Sequence, residues 1–585
     1  MSIDSSQPSL HHSGIAEYAT SRPRVLGWFR SAAILDGDWG TSVAYVMGLG
    51  FALAGYSSFW HLVAMMALTT LVAINYMTIC RLYPYGGGVY SSVYHRSKML
   101  AVVGALLLSA DYIVTMALSI LDACHYFNLP NPAVWAVILV LGVAAVNWFG
   151  PKNSGALALV ISGATVATLA VIIFASAPTA VRSASIRPPT GGFLANWGIF
   201  IGFILSLSGI EAISNLTGLM KDPASDSRRA ISSVLAKVII VNVFMGLAML
   251  AISGLTPGDH KEDMLRFLGE HYVGPWFGWV VAISVGVLLI SAGNTALNGL
   301  VSIQFLMAVD QELPNSLRKL NKHGVPIVPL VLTTIAPILV LVVIHDFTTL
   351  SHLYAIGLVG AMVINLGSTA TDKSVSLKPY VRVFMIISVT ILFFVELSIA
   401  VQKIEATIFA TVILVLGLGA RYVARRRFEA APVPVPVTAA PALVRKRRRP
   451  AMPAAKYLLA LKDINDRLLK FALEEARQRK ALLFILRVKE IAVGALPERI
   501  IMSTNGVEEH VDKICSEAGV DYQIISIPSY EVGYTIAEQA ATFGVDRVIL
   551  GATKRSVLEN MLRGSVMRSL GSYLPEDVQL VIFGG

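Results

Sequence analysis

Charged residues are scarce in this chain. Only 14% of its 585 residues are Asp, Glu, Lys or Arg, and the mean hydropathy is +0.66. Soluble globular proteins carry about 25% charged residues, so the composition excludes an ordinary soluble fold. The apolar residues are grouped in runs of roughly 20, long enough to cross the hydrocarbon core of a bilayer as helices. A polytopic helical membrane protein is therefore predicted.

Cysteine is rare as well, and no metal-binding pattern occurs. The three cysteines, Cys80, Cys124 and Cys515, lie in separate segments without a CxxC spacing, and the 11 histidines form no HExxH motif. Isolated cysteines are usually packed among apolar side chains. We predict no resident metal and no cofactor. No arrangement of nucleophile, acid and base stands out either, so the chain is not expected to be an enzyme.

Twelve membrane spans are predicted, after a polar N-terminal tail at residues 1–30 that lacks the apolar core of a cleaved signal peptide. Lys and Arg are concentrated in alternate loops, and the positive-inside rule then places both termini in the cytoplasm. We expect the protein to lie in the inner (plasma) membrane of a bacterium. The transmembrane domain covers residues 31–425, with spans at about 31–57, 59–82, 99–127, 132–149, 154–176, 194–220, 230–254, 276–306, 325–345, 347–368, 379–402 and 405–424.

A linker and a second domain follow the last span. Residues 426–455 are rich in Pro, Ala and Arg, and the basic runs next to the membrane are expected to contact anionic lipids. A tethered linker of this kind gives no reason to expect nucleic-acid binding, although the net charge is +10. In residues 456–585, short apolar strands alternate with amphipathic helices. This order predicts a cytoplasmic α/β domain with a doubly wound parallel sheet and a ligand crevice at the carboxyl ends of its strands.

The first span contains the unusual stretch "DGDWGTSVAY". Asp36 and Asp38 would cost roughly 2.5–3.5 kcal/mol each at the centre of a membrane helix, and Gly37 and Gly40 permit a non-helical backbone. Backbone that leaves helical form at membrane depth is tolerated only where it lines a buried cavity. The first span is therefore predicted to be broken and to form part of a binding site.

The sixth span, "FILSLSGIEAISNLTGLM", has a similar interruption. Ser208, Glu211 and Asn215 follow an i, i+3, i+7 spacing and are predicted to share one helix face. Spans 1 and 6 would be corresponding members of two five-helix inverted repeats, with two further helices after them, in a LeuT-like fold.

Polar residues also follow one face of the third span, "LLLSADYIVTMALSILDACHYF". Hydroxyl groups alone would be typical of contacts between helices. A stripe that also carries carboxylates more often lines a pathway. The stripe consists of Asp111, Thr115, Ser119 and Asp122.

These residues favour a small cation as the ligand. An Asp in the broken first span would repel the carboxylate of an amino acid and attract a cation. Hydroxyl and carbonyl oxygens are the groups that replace the hydration shell of an alkali ion. Two alternatives stay open: an amino-acid or polyamine permease, and a membrane protein that senses a nucleotide and transports nothing.

Four motifs in order resemble the KUP/KimA-type potassium uptake permeases of the amino acid–polyamine–organocation (APC) superfamily. "GDWGTSVAY" is similar to the signature "GDIGTSPLY", and "SGIEAISN" to "TGVEAISN". "DYIVTMALS" and "LYAIGLVG" resemble the motifs of the third and tenth spans. The resemblance covers roughly residues 20–425 and implies proton-coupled potassium uptake. It implies Glu211 as the proton carrier, and a potassium shell of Asp38, Tyr45, Thr115, Ser119, Ser208 and Tyr354 with Asp111 nearby.

The segment "GATKRSVLENMLRGSV" resembles the nucleotide loop of universal stress proteins, with Lys554 in place of the second glycine. Glycines let the backbone approach a phosphate, and a helix N-terminus favours an anion. The resemblance implies that an adenine nucleotide or a cyclic dinucleotide regulates transport, and that the chain forms a homodimer. The implied nucleotide contacts are Asp463, Gly551, Lys554, Gly564 and Ser565.

Overall fold

A computed structural model describes residues 24, 26–151, 154–344, 346–430, 455–462, 465–491, 507–552 and 557–584. One compact unit contains residues 24–425, and the described residues from 455 onward belong to a second unit. Two residues predicted to contact a nucleotide, Asp463 and Lys554, lie outside the described residues.

The first unit is helical. Runs of apolar residues form each helix, and short 3₁₀ turns and loops separate them. The helices are α1 (Trp28–Trp39), α2 (Ser42–Ala54), α3 (Ser58–Leu82), α4 (Gly88–Tyr94), α5 (Lys98–Tyr126), α6 (Pro132–Asn147), α7 (Ser154–Ser183), α8 (Phe193–Ile201), α9 (Ile213–Leu216), α10 (Pro223–Leu250), α11 (Met264–Tyr272), α12 (Pro275–Val309), α13 (Ile327–Val343), α14 (Phe347–Thr371), α15 (Pro379–Gln402) and α16 (Ile404–Ala430).

Several of these helices are suited to a bilayer. By length and apolar composition, the described chain has eight helices that could cross a membrane, or nine if α8 and the bent segment after it form one span. The first of the eight runs from Trp28 to Leu82 and contains α1 to α3, while α6 and α13 are shorter apolar helices. Outward-facing positions of α7, α13, α15 and α16 expose large apolar side chains, as expected for a surface in contact with lipid. The count of twelve spans and the five-plus-five repeat stay predictions.

Helix α5 is the buried centre of the first unit. Nearly all of its residues from Val102 to Cys124 are shielded from solvent. Glycine on a neighbouring helix permits close packing: a Cβ on Gly357 of α14 would lie 2.6 Å from the backbone nitrogen of Asp111. Real Cβ atoms do not approach a backbone atom so closely, so this position requires glycine. The contact brings α14 directly against the polar stripe of α5.

The second unit contains the predicted parallel sheet. Its strands have the order β3-β2-β1-β4-β5, and all neighbours are parallel. One face packs against α17 and α18 and the other against α19 and α21, which gives the two-sided core of a doubly wound domain. The elements are β1 (Lys456–Leu461), α17 (Asp466–Gln478), β2 (Leu482–Glu490), α18 (Val507–Ala518), β3 (Tyr522–Ser529), α19 (Val532–Phe543), β4 (Arg547–Gly551), α20 (Val557–Arg563), α21 (Val566–Tyr573) and β5 (Gln579–Phe583).

Candidate functional site

The first predicted span is interrupted at Gly40 and Thr41, between α1 and α2. The amide of Gly40 donates to the carbonyl oxygen of Asp36 at 2.9 Å, and the amide of Thr41 donates to that of Asp38 at 3.2 Å. Gly37 lies inside α1, so the departure from helical form that a glycine permits does not occur there. Asp38 lies in the last turn of α1, two residues before the break, and its carboxylate is buried.

The sixth predicted span is interrupted more strongly. Helix α8 ends at Ile201, and the segment that follows is inclined to it by 47°. Ser208 has non-helical dihedrals, with φ −52° and ψ 131°, and Gly209 has a φ of +89°, a left-handed conformation that favours glycine. The prediction that Ser208, Glu211 and Asn215 share one helix face is therefore wrong. The helical spacing does not hold because the backbone turns at Ser208 and Gly209.

The two interruptions contact each other. A Cβ on Gly209 would lie 2.4 Å from the backbone nitrogen of Trp39 and 2.8 Å from the carbonyl carbon of Asp38. The indole Nε1 of Trp39 donates to the carbonyl oxygen of Ser206 at 3.1 Å. Glycine at position 209 is therefore required both by its φ and by the approach of α1. The contact fixes Asp38 beside the broken part of the sixth span.

The predicted shell residues are all buried, and hydrogen bonds connect them in pairs. The hydroxyl groups of Tyr45 and Ser119 are 2.7 Å apart. Tyr354 donates to the hydroxyl oxygen of Ser208. These pairs join α2 to α5, and α14 to the interruption in the sixth span.

Thr115 completes the hydroxyl lining on α5. Its hydroxyl donates to the carbonyl oxygen of Asp111 at 2.9 Å and lies 3.3 Å from the carboxylate oxygen Oδ1 of the same residue. Four separate parts of the chain thus bring their hydroxyl groups to one region.

Three buried carboxylates meet in this region. Asp38, Asp111 and Glu211 are close enough for their charges to interact. Asp111 Oδ2 and Glu211 Oε2 have no hydrogen-bond partner among the described residues. Within the described ranges, no Lys or Arg forms an ion pair with any of the three. Because uncompensated buried charge is costly, such a group is suited to binding a cation or to holding a proton.

Asp36 has a different environment, which the sequence did not reveal. Lys237 of α10 donates to Asp36 Oδ1 at 2.6 Å, and Ser162 of α7 donates to Asp36 Oδ2 at 2.5 Å. A Cβ on Gly40 would lie 2.4 Å from Asp36 Oδ1 and 2.7 Å from Lys237 Nζ, so glycine leaves room for this ion pair. The signal for Lys237 was a single basic residue in the apolar run "SSVLAKVIIVNV".

Three of the residues predicted to contact a nucleotide, Gly551, Gly564 and Ser565, lie among the described residues of the second unit. Gly551 ends β4, which neighbours β1 at the point where the strand order reverses. Gly564 has a φ of +73°, and the Ser565 hydroxyl caps α21 by accepting the amide of Arg568 at 3.4 Å. The preceding Arg563 is buried and forms an ion pair with Glu490 at 2.9 Å, at the carboxyl end of β2. This edge of the sheet is where ligands bind in doubly wound domains.

Comparison with known proteins gives matches along the helical unit. The sequence profile of the family described as "Amino acid permease" matches residues 26–418. The potassium transporter KimA of Bacillus subtilis is 25% identical over 49% of this chain and 51% of its own length. An uncharacterized transporter of Legionella pneumophila is 24% identical over 48% of this chain and 64% of its own length.

A third relative is the L-methionine/branched-chain amino acid exporter YjeH of Escherichia coli, which is 28% identical over 33% of this chain and 48% of its own length. The chain thus spans between 48% and 64% of the length of these three relatives.

Proposed function

The chain belongs to the amino acid permease family, and from this premise we propose that it is a secondary transporter that takes up potassium together with protons. The substrate bound in the centre of the helical unit is then K⁺. The shell comprises the carboxylate of Asp38 and the hydroxyl groups brought to it by α2, α5, α14 and the interrupted sixth span, with Asp111 beside it.

The observation that carries this proposal is the meeting of three buried carboxylates, Asp38, Asp111 and Glu211. The carboxylate of an amino acid would be repelled by this group. An alkali cation would be attracted, and hydroxyl oxygens are hard ligands suited to it. The relative KimA, a potassium transporter by name, supports the same ion.

The driving force is the proton gradient. A proton that moves inward gains about 2.3 kcal/mol per 100 mV. We assign the proton to Glu211, because this carboxylate lies past the turn at Gly209 and next to the cation rather than among the hydroxyl pairs. One potassium ion offsets the charge of only one of the three carboxylates. A proton on Glu211 would offset a second, so the buried site is closest to neutral when cation and proton are bound together.

Growth of a potassium-uptake-deficient bacterium at micromolar K⁺ tests the proposed function. Expression of this chain should restore growth, and the Asp38→Asn variant, at equal abundance in the membrane, should not. Failure of the wild-type chain to restore growth, with no rubidium uptake in proteoliposomes, would refute potassium transport.

Amino-acid or polyamine transport is the second candidate, and the similarity to the YjeH exporter is the observation that favours it. Transport of labelled methionine, lysine or putrescine that is unaffected by K⁺ would support this candidate. A chain that transports none of these substrates and still binds a nucleotide would instead be a sensor.

The Glu211→Gln variant is expected to separate binding from coupling. Gln keeps the size of the side chain and removes the proton that it can carry. Rubidium binding should remain measurable, while the dependence of accumulation on the pH gradient should disappear. The measurement is rubidium uptake into proteoliposomes at several imposed pH differences. If accumulation keeps its wild-type pH dependence, another group carries the proton, and Asp111 is the next candidate.

We also expect the second unit to bind an adenine nucleotide or a cyclic dinucleotide and to regulate transport. A ligand present at 100 times its Kd stabilises the state it binds by about 2.7 kcal/mol, so a rise in the unfolding temperature of the full-length protein should follow. ATP, AMP and cyclic di-AMP are the ligands to compare. Lys554→Glu and added salt should both reduce the shift, because a phosphate would lose a positive partner.

A shift that is unchanged in Lys554→Glu would place the nucleotide elsewhere, and no shift at millimolar ligand would remove the regulatory role. Homodimer formation, contact of the basic linker with anionic lipids, cytoplasmic termini and a bacterial inner-membrane location belong to the same proposal.

A further inference from the structure

Asp122 on α5 is a buried carboxylate that the potassium shell described above does not use. Its side chain is fully shielded from solvent, and neither of its oxygens has a hydrogen-bond partner in the part of the chain that the structure describes. It follows Ser119 by three residues and therefore lies on the same face of α5, about 4.5 Å further along the helix axis.

The position of Asp122 is defined by contacts on either side of it along α5. Ser119 pairs with Tyr45 of α2 at 2.7 Å. At the other side, His125 Nδ1 lies 3.0 Å from Glu262 Oε2, and Arg266 donates to the carbonyl oxygen of Tyr126 at 3.2 Å. Asp122 thus lies between the Tyr45–Ser119 pair and the segment of residues 261–263, which immediately precedes α11.

This segment closes over α2 as well. A Cβ on Gly48 would lie 2.2 Å from the carbonyl oxygen of Lys261, so only glycine permits the approach. The charge of Asp122 interacts with Tyr45 and with Glu262 and Asp263 of the segment. The environment of Asp122 is therefore enclosed, rich in oxygen and negatively charged.

The basic groups near this end of α5 are engaged with other partners. Arg266 forms an ion pair with Glu270 at 2.9 Å, in addition to its bond to Tyr126. His125 contacts Glu262, and Lys261 donates to the hydroxyl group of Thr348. Among the described residues, none of these cations compensates the charge of Asp122. In a membrane protein, a carboxylate with this burial and without such a partner is a candidate for a functional site.

We propose that Asp122 forms a second alkali-cation site, on the far side of the Tyr45–Ser119 pair from Asp38 and Asp111. The inference rests on the proposed function, because the ion it holds is the transported one. The Asp122 carboxylate supplies the charge, and the oxygens of Tyr45 and Ser119 are shared between the two sites. Two cations held in line repel each other, so occupancy of one site promotes release from the other.

Equilibrium binding of radioactive rubidium to the purified full-length protein tests this site. The wild-type chain should bind two cations. Asp122→Asn, which keeps the shape of the side chain, should bind one, and Asp122→Asn combined with Asp38→Asn should bind none. Ser109→Ala is the matched control: Ser109 is buried on the same helix and donates only to the carbonyl oxygen of Ala105, so this variant should keep both cations.

A wild-type stoichiometry of one would overturn the second site, and this holds even if Asp122→Asn fails to fold. A folded Asp122→Asn variant that still binds two cations would overturn it as well. That result is also the one expected if Asp122 holds a proton and no cation. The number of bound cations tests the second site, whereas potassium uptake tests the proposed function, so the two can fail separately. Normal potassium uptake with one bound cation refutes the second site alone, whereas two bound cations without uptake refute transport and leave the site.

Discussion

The Asp38→Asn variant is expected to abolish potassium and rubidium uptake while the protein still reaches the membrane. Asn keeps the size of the side chain and removes its charge. A unit charge about 4 Å from a cation contributes roughly 4 kcal/mol at an effective dielectric constant of about 20, which corresponds to an affinity loss of roughly 1,000-fold. The measurement is the initial rate of rubidium uptake into cells or proteoliposomes at matched protein abundance.

Two further results would make the interpretation specific. Asp38→Glu keeps the charge but moves the carboxylate further from the backbone of α1 within a buried site, so partial uptake with a raised KM is expected. Ser109→Ala should leave uptake unchanged, because its hydroxyl donates only within its own helix. Uptake at the wild-type rate by Asp38→Asn would exclude Asp38 as the cation ligand and remove the central element of the proposed mechanism.

The positions of helices and strands could be predicted from the sequence because they depend on local patterns. Apolar runs of roughly 20 residues predicted the helical unit, and alternation of short apolar strands with amphipathic helices predicted the parallel sheet. The resemblance to KimA-type APC permeases is confirmed by the family match to residues 26–418 and by the similarity to KimA. The resemblance of the second unit to universal stress proteins stays a prediction.

The sequence also predicted where the first span is interrupted, but not how. Gly40 has helical dihedrals, and its small size matters because it lies against Asp36 and Lys237. Gly209, by contrast, has a left-handed φ, so the residues after it do not continue the helical spacing. Spacing rules hold only while the backbone remains regular. They therefore located the polar residues of the sixth span without predicting their directions.

Lys237 escaped prediction because its importance depends on a partner 201 residues away in the chain. The first span contains two carboxylates, two residues apart, but the sequence could not show which of them forms an ion pair with a basic side chain. The structure separates them: Asp36 is paired with Lys237, and no Lys or Arg of the described residues pairs with Asp38. This division of roles leads to the second large effect that we expect.

Removal of the lysine by Lys237→Met is expected to destabilise the helical unit strongly. The pair is 2.6 Å long, and its side chains are only 15% and 4% exposed for Lys237 and Asp36. Loss of one partner of a buried ion pair costs about 3–5 kcal/mol, because it leaves an uncompensated charge. The measurement is the unfolding temperature of the purified protein, together with its monodisperse fraction in detergent.

The double variant Asp36→Asn/Lys237→Met decides whether the pair itself is responsible. Because both charges are removed together, most of the lost stability should return, and rubidium uptake should return with it, since Asp38 keeps its charge. Ser162→Ala, which removes only a neutral donor to the Asp36 carboxylate, should cost about 1.5–3 kcal/mol, less than the loss of Lys237. A Lys237→Met variant as stable as the wild type would mean that the ion pair does not balance Asp36. A double variant that folds but does not transport would assign Asp36 a direct part in cation binding.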